Sequence, residues 1–252
     1  MTKTGSGDAN PVLTMGAMIR ASARRFGESD ALVFPDRRVS YAALNKSARR
    51  WAAAFIALGV KPGQNVGLFM PTCIEFIDAF YGASMAGAVA VPVNARYQTH
   101  ELAYLIKDAD LVALVTAGKV AEGLDYSERV RSALPSLSGV SREPDLQLSE
   151  APMLRAIVTT TDSSQPNMMS AARVLELGAS VSDAEIDARI DAVAPEDTAM
   201  ILYTSGTTSN PKGAMISHRA QVGNSRNLGI RYECTAADKV WSPLPIFHIA
   251  GI

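Results

Sequence analysis

Hydrophobic and polar positions along this chain follow two rhythms, one typical of buried strands and one typical of helices. Short apolar runs closed by turn signals predict strands at residues 31–39 (a strand and turn), 65–71, 88–94, 110–118, 154–160, 198–204 and 239–251 (a strand and turn). Apolar residues at helical spacing predict helices at residues 13–26, 41–58, 73–86, 100–109, 125–134 and 180–193, and another from about residue 218. Continuously apolar strands alternating with helices predict an α/β fold, with mostly parallel β-sheets flanked by helices.

Several predicted helices carry recognisable end signals. Ser40 is expected to cap the second helix, and Gly59 follows it where a left-handed residue commonly ends a helix. Thr72 is expected to cap the third helix in the same way. Ser182 lies three residues before Glu185, which is the spacing of a capping box. These signals support the helix boundaries that the apolar spacing predicts.

The ends and the middle of the chain are less regular. Residues 1–11 are polar and are expected to form a disordered tail, while residues 12–252 are expected to form one folded unit. Within it, residues 122–180 form a variable stretch whose first part is rich in Ser, Pro and Glu, and residues 162–178 are weakly patterned. We therefore expect a variable surface stretch here.

Composition restricts the classes of function. Lys and Arg number 24 against 25 Asp and Glu, which indicates neither a nucleic-acid partner nor a polybasic membrane patch. No secretory signal and no run of about 18 apolar residues occurs, so no membrane span is expected. Cys73 and Cys234 match no metal or redox spacing, and we expect two buried thiols rather than a disulfide. These features favour a soluble cytoplasmic protein.

The segment ILYTSGTTSNPKGAMISH, residues 201–218, carries the chemistry that composition does not explain. An apolar strand leads into a loop that would lie at the carboxyl end of that strand, where open α/β sheets bind ligands. Gly206 and Gly213 permit tight backbone geometry, and Lys212 adds a charge suited to phosphate oxygens. Hydroxyl groups come from Thr204, Ser205, Thr207, Thr208 and Ser209. Amides, hydroxyls and a lysine together predict a polyphosphate cradle.

Composition alone would favour a polar surface turn for this loop, since clusters of Ser, Thr and Gly usually form turns. The preceding strand and the lysine shift the balance towards a phosphate site. The loop is not a Walker A motif, because glycine rather than Ser or Thr follows Lys212 and the glycine spacing differs.

The loop TSGTTSNPKG closely resembles the phosphate loop of the adenylate-forming superfamily, which includes the AMP-dependent synthetases, acyl-CoA synthetases and adenylation domains. Three further blocks resemble that family in the same order: residues 40–71, residues 82–109 and the segment DKVWSPLPIFHIAG at residues 238–251. The resemblance implies the N-terminal part of an AMP-binding domain over residues 12–252, with residues 122–180 matching poorly.

The chain departs from the family pattern in two ways. Serine stands at position 209, where the family usually has glycine, and a residue forced to positive φ there would cost about 1 kcal/mol or more. The later family motifs for adenine, magnesium and ribose, and the C-terminal lid domain with its catalytic lysine, are absent from these 252 residues. The resemblance therefore implies an incomplete enzyme, which we expect to be inactive by itself.

The activity that the resemblance implies has two half-reactions. A fatty or aryl carboxylic acid attacks ATP to give acyl-adenylate and pyrophosphate, and coenzyme A then displaces AMP. Lys212 is the implied catalytic cation on the β- and γ-phosphates, with Mg²⁺ sharing that charge. The residues implied to bind ATP are Thr204, Ser205, Gly206, Thr207, Thr208, Ser209 and Lys212. The chain offers no implied metal ligand of its own.

Histidine 248 is the second implied catalytic residue. A lone histidine is more often a structural residue in a turn, but within PLPIFHIAG the family places it beside the substrate carboxyl group, where it can donate a hydrogen bond. Phe247 is implied to wall the substrate pocket. His218 is expected to be structural and His100 exposed. The pairs Arg24/Arg25, Arg37/Arg38 and Arg49/Arg50 are expected to be solvated, and Trp51 to be core.

Other functions stay open at the level of sequence. A truncated relative could bind a nucleotide or an acyl group without catalysis, and an adenylation domain could serve a carrier protein instead of coenzyme A. The expected partners are ATP, coenzyme A and a small carboxylic acid. A homodimer is a further alternative that the sequence leaves open. The sequence does not identify the acid.

Overall fold

The computed structural model describes residues 12–120, 123–139, 145–161, 167–204, 210–248 and 251. The helices of this part are α1 Met15–Phe26, α2 Tyr41–Ala57, α3 Ile74–Met85, α4 Thr99–Asp108, α5 Tyr126–Ala133, α6 Ala171–Leu177, α7 Asp183–Ala192 and α8 His218–Arg231. The strands are β1 Asp30–Val33, β2 Arg38–Ser40, β3 Asn65–Phe69, β4 Val89–Pro92, β5 Leu111–Thr116, β6 Ala156–Thr159, β7 Met169–Ser170, β8 Thr198–Thr204 and β9 Lys212–Ser217. The predicted tail, residues 1–11, lies outside the described residues.

The described strands form one small hairpin and one large mixed sheet. Strands β1 and β2 pair antiparallel, and the large sheet has the order β7-β6-β5-β3-β4-β8-β9. All neighbouring pairs in the large sheet are parallel except β8 with β9. The predicted α/β fold with mostly parallel strands is therefore confirmed.

The core lies in the central strands and the helices that cover them. Every residue of β4, β5 and β6 is buried, which is expected for parallel strands covered on both faces. Helices α2 and α3 pack closely, because Gly82 allows α3 to approach the backbone of α2. A methyl group on Gly82 would lie 2.4 Å from Cβ of Trp51, which is 4% exposed.

Most predicted end signals are confirmed. The Ser40 hydroxyl accepts a hydrogen bond from the backbone N–H of Ala43 at 3.2 Å, and Gly59 adopts a φ of 76°. The Ser182 hydroxyl accepts from the N–H of Glu185 at 3.2 Å.

Three predictions about local structure are wrong, and two elements were not predicted. Cys73, not Thr72, occupies the N-cap position of α3, since Thr72 lies one residue further from the helix. Residues 239–248 form no strand, and residues 212–217 form β9 where a loop was predicted. The weakly patterned stretch contains β7 and α6. These elements carry weak periodicity, so their structure depends on pairing and packing with distant segments.

The predictions for cysteine and arginine environments also need correction. Cys73 is partly buried, but Cys234 is exposed because it lies in a surface turn after α8. Arg49 is not part of a solvated face: its side chain is 16% exposed and contacts carboxylates of Asp183 and Asp187 at 2.7 and 2.8 Å. Arg20 contacts the same Asp187 at 3.1 Å. These ion pairs connect α1, α2 and α7.

No helix of the described residues is long and apolar enough to cross a membrane.

Asp78 is an acidic side chain buried between α3 and α2. It is 9% exposed, and its Oδ1 has no hydrogen-bond partner among the described residues. Burial raises the pKa of Asp78 to about 6, although a hydrogen bond with Ser47 acts in the opposite direction. The carboxyl group is therefore charged at neutral pH in an environment that disfavours the charge.

Replacing Asp78 with Asn should stabilise the protein at neutral pH and not at low pH. Because the folded state holds the proton more tightly than the unfolded state, ionisation reduces stability as the pH rises from about 4 to about 6. The full effect is about 3 kcal/mol above that range. Urea unfolding between pH 4 and pH 8 measures the difference between Asp78→Asn and the unchanged protein. Asp36→Asn, at an exposed position, is the control and should keep the original pH dependence. A constant difference at every pH would contradict this account.

Candidate functional site

The loop end of the β8–β9 hairpin, the hairpin mouth, brings two predicted site residues together. Thr204 is the last residue of β8 and Lys212 the first of β9, and the two are cross-strand partners. The Thr204 hydroxyl donates a hydrogen bond to the carbonyl oxygen of Lys212 at 3.4 Å. Both residues are exposed, whereas Pro211 beside them is buried. The two residues on either side of the predicted loop are thus paired across the two strands.

The remaining residues predicted to bind phosphate lie outside the described part of the chain. These are Ser205, Gly206, Thr207, Thr208 and Ser209. The described residues therefore fix the two ends of the predicted cradle.

Sheet topology places the hairpin mouth at the edge of the sheet where the parallel strands end. Strand β8 is parallel to β4, with Ala90 opposite Met200, so Thr204 lies at the edge where β3, β4, β5 and β6 also end. The carboxyl ends of parallel strands form the crevice in which open α/β sheets bind ligands. The strand that leads into the predicted loop ends at this edge, as the sequence predicted, and the position of the loop itself stays a prediction.

Gly213 has a packing role that the sequence does not reveal. A methyl group on Gly213 would lie 2.8 Å from Cγ2 of Ile201 and 3.2 Å from Cζ of Tyr203. The sequence suggested that this glycine permits tight backbone geometry. The structure shows that a side chain at this position would collide with two side chains of β8, so glycine is needed for packing.

The segment that carries the other predicted site residues returns to the same edge. The backbone N–H of Ile246 donates to the hydroxyl of Thr72 at 3.3 Å, and Thr72 follows the end of β3. The N–H of His248 donates to the carbonyl of Pro245 at 3.1 Å, and the N–H of Gly251 donates to the carbonyl of His248 at 2.8 Å. These bonds form a turn in which His248 is exposed.

Phe247 lies in the same turn and is half-buried, packed against the hydrophobic core. Ile246, the residue before it, lines an apolar groove of about 430 Å³ together with side chains of α1 and α3. An apolar surface therefore lies next to His248, and the role of Phe247 in a substrate pocket stays a prediction.

The other two histidines have the environments expected from the sequence. His218 is 2% exposed, and its Nδ1 accepts a hydrogen bond from the backbone N–H of Met15 at 3.2 Å. Burial lowers the pKa of His218, with Asp197 acting in the opposite direction. Ser217 caps α8 by accepting from the N–H of Ala220. His218 thus serves as a neutral structural link between α1 and α8, and His100 is exposed.

Sequence reasoning missed the tertiary contacts of three residues near the candidate site: Tyr203, Asp108 and Thr72. The Tyr203 hydroxyl donates to Oδ2 of Asp108 at 2.6 Å, across 95 positions of sequence. Tyr203 directly precedes the predicted loop, which is a signal of proximity, but its partner at the end of α4 carries no motif. Thr72 was noted only as a helix cap, and its contact with Ile246 depends on tertiary structure.

No group of three or more His, Cys, Asp or Glu side chains in the described part of the chain is arranged to hold a metal ion. The chemistry offered by the hairpin mouth is that of hydroxyl and ammonium groups, which suits an anion.

Gly213→Ala should destabilise the hairpin, because the added methyl group meets the β-branched side chain of Ile201 and the ring of Tyr203. Overpacking of this kind costs about 1–3 kcal/mol. Thermal unfolding measures the change. Gly223→Ala is the matched control, since a methyl group there meets nothing within 4 Å and alanine favours the helix. A melting temperature for Gly213→Ala equal to or above that of the control would contradict the packing role.

Comparison with known proteins agrees with the geometry. Residues 19–252 match the family model described as "AMP-binding enzyme". An octahydroindenyl-propanoyl:CoA ligase of Rhodococcus jostii (strain RHA1) is 33% identical over 241 residues, which are 96% of this chain and 44% of that protein. The long-chain-fatty-acid–CoA ligase FadD13 of Mycobacterium tuberculosis (strain CDC 1551 / Oshkosh) is 28% identical, over 94% of this chain and 42% of that protein.

The fold agrees with a solved structure, that of a long-chain-fatty-acid–CoA ligase (FadD1) from Archaeoglobus fulgidus. The TM-score is 0.72 at 23% identity, and the match covers 94% of this chain and 43% of that chain. The chain thus spans less than half the length of these relatives. The family model covers nearly all of the chain. In the structure of this chain, strand β8, the mouth of the β8–β9 hairpin and the turn that carries Phe247 and His248 lie at one edge of the sheet. This chain belongs to the AMP-binding enzyme family.

Proposed function

We propose that this chain is the N-terminal part of an AMP-forming acyl-CoA synthetase. In that reaction a carboxylate attacks the α-phosphate of ATP, giving acyl-adenylate and pyrophosphate. The thiol of coenzyme A then attacks the acyl carbon, giving the thioester and AMP. The observation that carries the proposal is the pairing of Thr204 with Lys212 at the carboxyl edge of the sheet, in a chain of the AMP-binding enzyme family.

Lys212 is the proposed cation for the β- and γ-phosphates. Its backbone is paired in β9, next to the buried Pro211. The exposed side chain therefore extends from a fixed point beside the mouth of the hairpin. Pyrophosphate leaves with additional negative charge, and a fixed positive charge stabilises that product and the transition state before it. Thr204 is proposed to turn its hydroxyl from the Lys212 carbonyl oxygen to the same phosphates when ATP binds, together with residues 205–209.

His248 is the proposed partner of the carboxylic acid. The contact between Thr72 and Ile246 keeps its turn at the edge where β3 ends. An imidazole N–H there can donate a hydrogen bond to the carboxylate and orient one oxygen towards the α-phosphate. Phe247 is proposed to contact the apolar part of the acid.

Mg²⁺ is proposed to arrive with ATP, where it neutralises phosphate charge. The described residues offer no ligand set for it, so no catalytic step is assigned to the ion. Coenzyme A is proposed as the acceptor because the similar proteins are named CoA ligases. The acid is proposed only at the level of its class, a carboxylic acid with an apolar body.

Lys212→Met should weaken binding of MgATP and of pyrophosphate by about tenfold or more, because a charge-assisted hydrogen bond contributes about 1.5–3 kcal/mol. Binding of AMP should change little, since AMP lacks the β- and γ-phosphates. Isothermal titration calorimetry at constant ionic strength measures all three ligands. Lys61→Met, at an exposed turn, removes the same charge elsewhere and is the matched control.

Equal affinities for Lys212→Met and Lys61→Met would contradict the role of Lys212. An assay with acid, MgATP and hydroxylamine separates enzyme from binding module, because hydroxylamine traps an acyl-adenylate as hydroxamate. Binding of MgATP by a protein that carries the whole length of the relatives, without any hydroxamate, would favour a nucleotide-binding module.

A further inference from the structure

The hydroxyl of Tyr203 connects the strand before the phosphate loop to a helix that lies elsewhere in the sequence. Tyr203 is the penultimate residue of β8, and Asp108 is the last residue of α4. The hydroxyl donates to Oδ2 of Asp108 at 2.6 Å. Tyr104, one turn earlier on α4, donates its own hydroxyl to Oδ1 at 3.0 Å. Both oxygens of one carboxylate are therefore engaged by tyrosines.

The position of Asp108 is unfavourable for a helix by itself. A carboxylate in the last turn lies at the negative end of the helix dipole, which disfavours its charge. Only Lys107 supplies a positive charge in the last turn of α4. The two hydroxyl donors offset this cost: Tyr104 donates from within α4, and Tyr203 donates from the distant strand β8.

The ring of Tyr203 transmits this contact to β9. Gly213 lies opposite Tyr203 in the strand register, and a methyl group there would meet Cζ and Cε2 of the ring at 3.2 and 3.3 Å. The atom that carries the hydroxyl is thus packed on the backbone of the residue after Lys212. Burial and the hydrogen bond to Asp108 raise the pKa of Tyr203, so its hydroxyl stays a proton donor at neutral pH.

β9 has little other support for its position. Its first four residues are exposed, and β8 is its only neighbour in the described sheet. A short exposed edge strand opens easily unless side chains hold it. The chain of contacts from Asp108 to Tyr203 to Gly213 acts on the end of the strand where Lys212 lies.

We propose that Asp108 and Tyr203 are positioning residues for the candidate ATP site, which fix Lys212 opposite Thr204 by holding the Tyr203 ring on Gly213. This rests on the proposed function for its consequence on ATP, but the effect on β9 is independent of any ligand.

Tyr203→Phe is the sharpest test, because it removes the hydroxyl and keeps the ring that packs on Gly213. Tyr104→Phe is the matched control. It removes a hydroxyl donor from the same carboxylate, but the hydrogen bond that it breaks lies within α4 and does not involve the hairpin. Hydrogen–deuterium exchange of residues 210–217 reports the opening of β9, with Asp108→Ala and the double variant Asp108→Ala/Tyr203→Phe measured beside them.

Exchange in residues 210–217 should accelerate several-fold in Tyr203→Phe, because the hydrogen bond that is lost involves a carboxylate but is exposed to solvent. Asp108→Ala should show a similar increase, and the double variant little more, because both changes break one contact. Tyr104→Phe should leave this exchange close to that of the unchanged protein. Equal exchange in Tyr203→Phe and Tyr104→Phe, or additive effects in the double variant, would overturn the proposal.

Titration with MgATP gives the second measurement. Tyr203→Phe should raise the dissociation constant for MgATP several-fold and leave that for AMP unchanged, with melting temperature lowered by no more than in Tyr104→Phe. A purely structural role would lower stability and affect both nucleotides alike. If the unchanged protein binds no MgATP, the proposed function fails, while the exchange data still decide whether Asp108 and Tyr203 hold β9.

Discussion

The parallel pairing of β8 with β4 is the constraint on which the candidate site depends. It joins the part of the chain from residue 198 onward to a sheet built from the first 170 residues, with Ala90 opposite Met200 as the register. Because the pairing is parallel, β8 ends at the edge where the central strands end, and the backbone there leads directly into the predicted phosphate loop. An antiparallel insertion would place the same motif at the opposite edge, away from the turn that carries His248.

Single hydrogen bonds between distant segments then position the segments that carry the candidate site residues. Thr72 receives the N–H of Ile246, His218 receives the N–H of Met15, and Asp108 receives the hydroxyl of Tyr203. In each case a group at the end of a core element contacts a segment from another part of the sequence. The rigid core supplies fixed anchor points, and the exposed segments take their positions from those anchors.

The fold could be predicted well because its signals are local and repeated. Buried parallel strands have continuous apolar runs, and helix caps such as Ser40 and Ser182 satisfy backbone groups of the next turn. The predictions failed where the determining contact is distant. Strand β9 has exposed residues and no apolar alternation, so only its pairing with β8 makes it a strand. Arg49 looked like a surface residue because its partners, Asp183 and Asp187, lie more than 130 positions away.

The sequence by itself determined the family, the α/β class and the identity of the residues available for phosphate binding, because these depend on residue type and on spacing within one segment. Tertiary structure alone decided that Thr204 and Lys212 face each other, that Gly213 makes room for Tyr203, and that Asp108 reaches the hairpin. The physical reason is that a hydrogen bond or a close packing contact needs two partners at fixed distance. A linear pattern shows one partner at a time, and only the folded sheet brings the second within reach.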